Sequence, residues 1–376
     1  MTNKTQPLPS KPIFLYGLGL VLAVKAIIFI AGSLAYQIIW NNPINTVSKF
    51  FLIWNRWDAI EYVRLASAGY EIIFQQTPWD LGFPPLLPWM TKAVSFLFGG
   101  NCIYGSFFVS GIASLVAGYF LIKLVQLDEP DDVARRSLWF MLIFPTSYFL
   151  HIGYTESLFL ACLLPAFLAA RKRFWLGAGC LGALMACTRM NGLLIISALA
   201  AEAYLEFRET KKWNWTWLYI FIPILGFGAY LWLNHHLTGD FFAFLDFKKD
   251  KWYQEITWPW VGIKTHIQSL AWRNPNESQM IVYQEFFFIG LGLVMTAISF
   301  LKMRLSYSIW MLTNMVLFIS TAFVISVPRY VLVLFPIYIL FAKLKPEGIL
   351  ARTITIWGIL MLGLFITLFV DGRWAF

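Results

Sequence analysis

The chain reads as an all-α, polytopic membrane protein, and three observations lead there. Hydrophobic residues make up 59% of its 376 and aromatics 18%, while charged residues are held to 13%. Apolar runs of about 20 residues, the length a helix needs to cross a bilayer, recur from end to end. The basic residues fall in short clusters between those runs. The surplus of 29 Lys plus Arg over 20 Asp plus Glu therefore reads as membrane topology and not as a nucleic-acid surface.

Residues 1–12, polar and carrying Lys4 and Lys11, read as a cytoplasmic tail. The apolar run behind them is too long for a removable signal and lacks its small-residue cleavage site. Eleven spans are expected, near 13–39, 102–126, 134–151, 156–170, 174–188, 192–207, 215–235, 281–300, 305–326, 329–342 and 350–370. Segment 84–98 is about 15 residues long and carries Pro84, Pro85, Pro88 and Lys92, which suits a buried or interfacial helix better than a crossing. With that segment uncrossed, Lys123 with Arg135 and Arg136, Arg171-Lys172-Arg173, Arg208 with Lys211 and Lys212, Lys302 with Arg304, and Lys343 with Lys345 share the side of the N-terminus. The positive-inside tendency makes that side cytoplasmic and leaves two long outer loops, 40–101 and 236–280. Trp213, Trp215 and Trp217 read as interfacial anchors. Cys102, Cys162, Cys180 and Cys187 lack metal-ligand spacing and read as small apolar fillers. No internal repeat stands out, which weighs against an inverted-repeat transporter.

Against so apolar a background, the stretch Arg56-Trp57-Asp58-Ala59-Ile60-Glu61-Tyr62-Val63-Arg64 needs a reason. Asp58 could pair with Arg56 or with a residue one turn along a surface helix, and Glu61 and Arg64 suit that structural work. Partly withdrawn from water beside Trp57, Asp58 would also be a competent general base. Other candidates fall at span ends on the same side: His151, Glu156, Arg189, His235, His236, Asp240 and Arg329. Ionisable groups at membrane depth are costly, so their convergence on one face marks a functional site. Glu156 also suits the positive end of a helix dipole. Arg189 and Arg329 run against the positive-inside tendency, and their forked guanidiniums suit phosphate oxygens, although either could snorkel to the interface. His235 and His236 diverge by about 100° on a helix, so hydrogen bonding to a phosphate or sugar fits them better than a metal.

At these residues the chain resembles the PIG-V family of GPI mannosyltransferase II and its prokaryotic relatives, within the GT-C superfamily of membrane glycosyltransferases. The landmarks run in the family's order: Arg56-Trp57-Asp58-Ala59 with Ala68-Gly69-Tyr70, Phe83-Pro84-Pro85-Leu86-Leu87-Pro88, and Pro145-Thr146-Ser147 leading to Tyr154-Thr155-Glu156-Ser157. Thr188-Arg189-Met190-Asn191-Gly192, Thr238-Gly239-Asp240 with Trp252, and Val327-Pro328-Arg329-Tyr330 follow. Each motif is short, and their order carries the match. The resemblance implies interfacial helices in the first outer loop, Asp58 as catalytic base, and Glu156 as a second acid facing the site. It also implies a polyprenyl-phosphate sugar as donor. Short inner loops suggest a prokaryotic member of the inner membrane, for which a GPI anchor is not the expected acceptor.

The reading at this stage is a single integral-membrane glycosyltransferase domain over 1–376. It moves one hexose, mannose by resemblance, to a hydroxyl of a glycan or glycolipid acceptor on the outer face, with inversion. Asp58 is the base, and Trp57, Tyr154, Glu156, Arg189, His235, His236, Asp240, Arg329 and Tyr330 are the expected substrate contacts. Phosphate leaves without metal help, so no cofactor is required, although Glu156 and Asp240 leave room for a divalent ion. Membrane lipids surround the protein, and no nucleic acid is expected. The rivals are a lipid-linked sugar flippase or transporter, in which the same charges would line a path, and a scaffold subunit indifferent to loss of Asp58.

Overall fold

In this computed structural model the described residues are 13–376, so the expected tail at 1–12 lies outside them. Helices account for almost all regular structure, and a single β-bridge between Ile256 and Thr321 is the only strand-like pairing among the described residues. Six segments are long and apolar enough to cross a membrane alone: Ile13–Trp40, Cys102–Val125, Met190–Thr210, Trp215–Thr238, Pro275–Lys302 and Ile349–Asp371.

The other five expected crossings take shorter forms. Asp131–Leu142, Glu156–Arg171, Trp175–Thr188 and Leu305–Ile319 are helices of 12, 16, 14 and 15 residues. The stretch 329–342 is interrupted between the helices Val327–Val331 and Pro336–Ala342, where Pro336 cannot extend the preceding turn. Leu332, Val333, Leu334 and Phe335 are wholly buried there, which keeps the irregular backbone inside protein and away from lipid. Leu86–Ser95 has only 10 residues, about 15 Å of helix, and fits the expected non-crossing segment.

Glu156–Arg171 forms the centre of the bundle, with 13 of its 16 residues buried, and packs against Cys102–Val125 on one flank and Trp175–Thr188 on the other. A Cβ on Gly226 would lie 2.0 Å from the Ala183 carbonyl oxygen, so the Pro223–Thr238 helix crosses Trp175–Thr188 at backbone contact. Small residues allow that approach, as membrane helix pairs require. Long apolar side chains are left exposed around the outside, among them Ile27, Ile38, Leu225, Leu301 and Ile349, as expected of a lipid-facing surface.

Both long loops sit at one end of this bundle. The first contains the helices Val47–Leu52, Asp58–Ala68 and Tyr70–Gln76, and the second contains Ala243–Trp252 and Pro259–Gln268. They pack on each other through Trp252 against Phe83, 5.4 Å between rings, and Phe247 against Phe74, 6.3 Å.

Candidate active site

Asp58 opens the helix Asp58–Ala68, directly after Trp57, whose backbone takes the left-handed φ of +52°. A non-glycine residue rarely adopts that region and holds it only when its surroundings impose it. Arg56 supplies the restraint, because its guanidinium donates to the Val370 carbonyl at 3.1 Å and its own carbonyl accepts the Tyr154 hydroxyl at 3.0 Å. Arg56 is thereby occupied, and the pairing with Asp58 considered from sequence does not occur.

The partner of Asp58 comes from the far end of the chain. Arg329 donates through Nη1 to Asp58 Oδ2 at 2.7 Å. The turn carrying Arg329 is anchored by Glu285, whose carboxylate accepts the backbone N–H groups of Ser326 and Val327 at 2.6 and 2.8 Å. Ser326 is held at a φ of +67°, and Thr146 donates to the Pro328 carbonyl at 3.0 Å.

Glu156 completes the cluster. Its side chain is wholly buried, its Oε1 is bonded by Arg189, and Arg329 Nε stands 3.1 Å from the same oxygen at an angle outside hydrogen-bonding geometry. Arg189 also donates to Thr155 at 3.2 Å. Its turn folds back against the preceding helix because Gly192 has no Cβ, which would stand 2.6 Å from the Met185 carbonyl. The two guanidiniums stack on aromatic faces, Arg189 on Tyr330 at 5.1 Å and Arg329 on Phe149, Tyr154 and Tyr330 at 5.4–5.6 Å. Asp58 and Glu156 thus balance Arg189 and Arg329 in an aromatic enclosure that strengthens each pairing.

The cluster leaves valence unspent. Asp58 keeps 28% of its side chain exposed, and its Oδ1 has no hydrogen-bond partner among the described residues. Glu156 Oε2 is buried with none. Buried polar groups are nearly always satisfied, so this oxygen is an acceptor that a ligand or water can use. Tyr62 is buried beside these four charges, and its phenol is pushed upward by burial and then by Asp58.

Several expected contacts stand apart from the cluster. Trp57 is exposed and meets Trp374 edge-on at 5.3 Å. His235 stacks on Phe241, His236 lies on Trp232 at 3.7 Å from Glu71, and Asp240 accepts the Phe242 N–H, so all three serve the exposed end of the Pro223–Thr238 helix. Glu61 pairs with Arg64 at 2.6 Å, the structural role expected of it. Arg64 also lies 3.6 Å from Asp80, whose carboxyl burial pushes up to about 6. No group of three His, Cys, Asp or Glu side chains suited to a metal occurs among the described residues.

One basic residue escaped the sequence reading. Lys248, on Ala243–Trp252, is half-buried and feels Arg189, Asp58 and Arg329 across the junction of the two loops. Burial pushes its ammonium down to about 8; Arg189 acts in the same direction, and Asp58 opposes it. Lys248 sits between Phe247 and Lys249 on a polar helix, where composition gives it no distinction.

No family model matches the chain. It is 29% identical over 155 residues to GPI mannosyltransferase 2 of Schizosaccharomyces pombe, a stretch covering 40% of this chain and 32% of that one. It superposes on the crystal structure of ArnT from Cupriavidus metallidurans bound to undecaprenyl phosphate with a TM-score of 0.52 and 15% identity. That superposition covers 93% of this chain and 63% of ArnT, so the chain spans under two thirds of either protein. In line with the resemblance carried by its motifs, the chain is similar over part of its sequence to a GPI mannosyltransferase and shares its fold with ArnT.

Proposed function

We propose that this protein is an inverting membrane glycosyltransferase. In this reading it moves one hexose, mannose, from a polyprenyl-phosphate sugar to a hydroxyl of a glycan or glycolipid acceptor on the extracytoplasmic face. The observation that carries the reading is Asp58: a half-open carboxylate at a helix start, oriented by Arg329, with one oxygen unspent, at the loop end of an ArnT-like fold. The similar fungal protein is named for mannose transfer, and the ArnT structure contains undecaprenyl phosphate, which together favour a lipid-phosphate donor and mannose.

Asp58 Oδ1 accepts the proton of the acceptor hydroxyl as that oxygen bonds to the anomeric carbon. The carbon–oxygen bond to phosphate breaks, its electron pair leaves on the phosphate oxygen, and attack from the opposite face inverts the centre. Polyprenyl phosphate is the second product. Gathering of the charges at one end, where both long loops meet, favours chemistry at the membrane surface over a transport path, which would set ionisable groups at mid-membrane.

The test is direct: purified protein in lipid, a panel of radiolabelled polyprenyl-phosphate sugars, and a search for label in the acceptor. Transfer from the mannose donor is expected, and absence of transfer from every donor overturns the reading. Sidedness is checked separately. Cysteines replacing Gln75 and Thr265 should react with an impermeant thiol reagent from outside, and one replacing Lys172 should not.

A further inference from the structure

Both arginines expected to receive a phosphate are already engaged. Arg329 lies 2.7 Å from Asp58 and 3.1 Å from Glu156, and Arg189 is bonded to Glu156. Two carboxylates and two guanidiniums leave the cluster with no net charge. A phosphate approaching the cluster meets two carboxylates as well as two guanidiniums, so the cluster offers it no net attraction. The positive charge for a phosphate must therefore come from outside these four residues.

Lys248 is positioned to supply it. Its helix is pressed onto the first loop at Gly82, where a Cβ would stand 2.6 Å from Trp252 and 3.6 Å from Lys248 Cγ. Phe244 packs on Tyr230 at 5.1 Å, and the Tyr230 hydroxyl donates to the Leu81 carbonyl at 2.5 Å. The stem of Lys248 is fixed by this packing, while its ammonium makes no hydrogen bond or ion pair among the described residues. Its charged neighbours are two guanidiniums and Asp58, which is already paired with Arg329, so this half-buried cation is favoured when a further anion joins it.

We propose that Lys248 holds the phosphate of the polyprenyl donor, as the uncompensated charge that the Asp58–Arg329–Glu156–Arg189 cluster does not provide. The assignment rests on the donor class given under Proposed function. It carries a kinetic consequence. As the carbon–oxygen bond breaks, the phosphate goes from one negative charge to two, so the contact strengthens toward the transition state and also holds the lipid product.

Undecaprenyl phosphate, the sugar-free product lipid, is the probe. Its equilibrium binding is measured by the parent, Lys248→Met and Lys248→Arg in nanodiscs of uncharged lipid, with thermal midpoints recorded alongside. Loss of one charge-assisted contact should weaken binding about 10- to 100-fold in Lys248→Met, and Lys248→Arg should restore most of it. A packing role for the side chain would instead leave both variants equally impaired, which overturns the assignment. Should Lys248→Met fail to fold, Lys248→Gln removes the same charge with a polar end and takes its place. Parent and charge-free variant binding the lipid equally well overturns the assignment and leaves the proposed function standing. A parent that binds neither undecaprenyl nor dolichyl phosphate overturns both.

Discussion

The central helix Glu156–Arg171 carries an arginine–carboxylate network at each end, and the two are finished differently. At the Arg171 end, Arg171 gives Nη1 and Nη2 to Asp128 at 2.7 and 2.6 Å. Nearby, Glu202 accepts Arg304 twice, at 2.7 and 2.8 Å, and Ser306 at 2.5 Å, while Glu206 accepts the indoles of Trp175 and Trp217 at 3.0 Å each. Among the described residues at the Glu156 end, one carboxylate oxygen is buried without a partner, one oxygen of Asp58 accepts no hydrogen bond, and Arg329 Nε faces a carboxylate it does not hydrogen-bond. A network that leaves none of its buried donors or acceptors unpaired holds helices together. One that keeps some in reserve, where both long loops converge, is prepared to receive a ligand.

The strongest attempt to break this comparison is Asp58→Asn. Asn keeps size and hydrogen bonding but takes no proton, so transfer should fall on the order of 10²–10⁴-fold with donor binding retained. Glu61→Gln, which alters the pair with Arg64 and the contact with Asp80 and leaves the Asp58 cluster in place, should cost far less. Comparable rate losses for the two variants would shift the explanation from the Asp58 base to the fold of the loop.

Next come Glu156→Gln and Glu202→Gln, one carboxylate from each end. Glu156 is wholly buried between arginines only 10–12% exposed, so leaving them unmatched should cost about 3–5 kcal/mol of stability. Arg304 retains 27% exposure and can recover some solvent, which lowers the expected cost of Glu202→Gln to about 1–3 kcal/mol. Per folded molecule, transfer should fall in the first and hold in the second. Equal activity losses, measured beside thermal unfolding, would erase the distinction between the ends.

Glu285→Gln probes the support of Arg329. Gln can accept only one of the two backbone N–H groups now shared by the carboxylate, so one is left unsatisfied at about 1–3 kcal/mol and the turn loosens. Reduced transfer with normal folding yield is expected, read as kcat at saturating donor. Full kcat would mean that the turn is held by Thr146 and its packing alone.

The smallest effect is one of pH. Lys248 titrates near 8, below its ordinary 10.5, and only its charged form attracts phosphate. Donor affinity should be highest below pH 8 and decline as pH rises through it, while Lys248→Arg, charged throughout, stays level. Titrating donor binding over roughly pH 6.5–9.5 separates the two cases. Parallel curves would assign the decline to other groups.

Much of this was legible in the chain. Low charge and repeated apolar runs determined an all-helical membrane protein, the prolines of 84–98 marked a short helix, and the spacing of Glu61 and Arg64 anticipated their pair. Asp58 stood out because charge is rare here. Each of these depends on residues within a few turns of one another, which is the range over which hydropathy, backbone restriction and i,i+3 pairing act.

Tertiary structure decided the rest. Hydropathy could not tell a continuous crossing from the interrupted stretch 329–342, because interior protein satisfies backbone that lipid could not. Asp58 meets Arg329 across 271 positions, and Arg189 leans on Glu156 only because Gly192 lets its turn fold back. His235, His236 and Asp240 share the sequence neighbourhood expected of site residues yet end on an exposed helix terminus, whereas Lys248, without any local mark, comes to the cluster. Which charges meet is fixed by how closely the helix backbones approach, and that is a property of the packed molecule, since no local pattern records it.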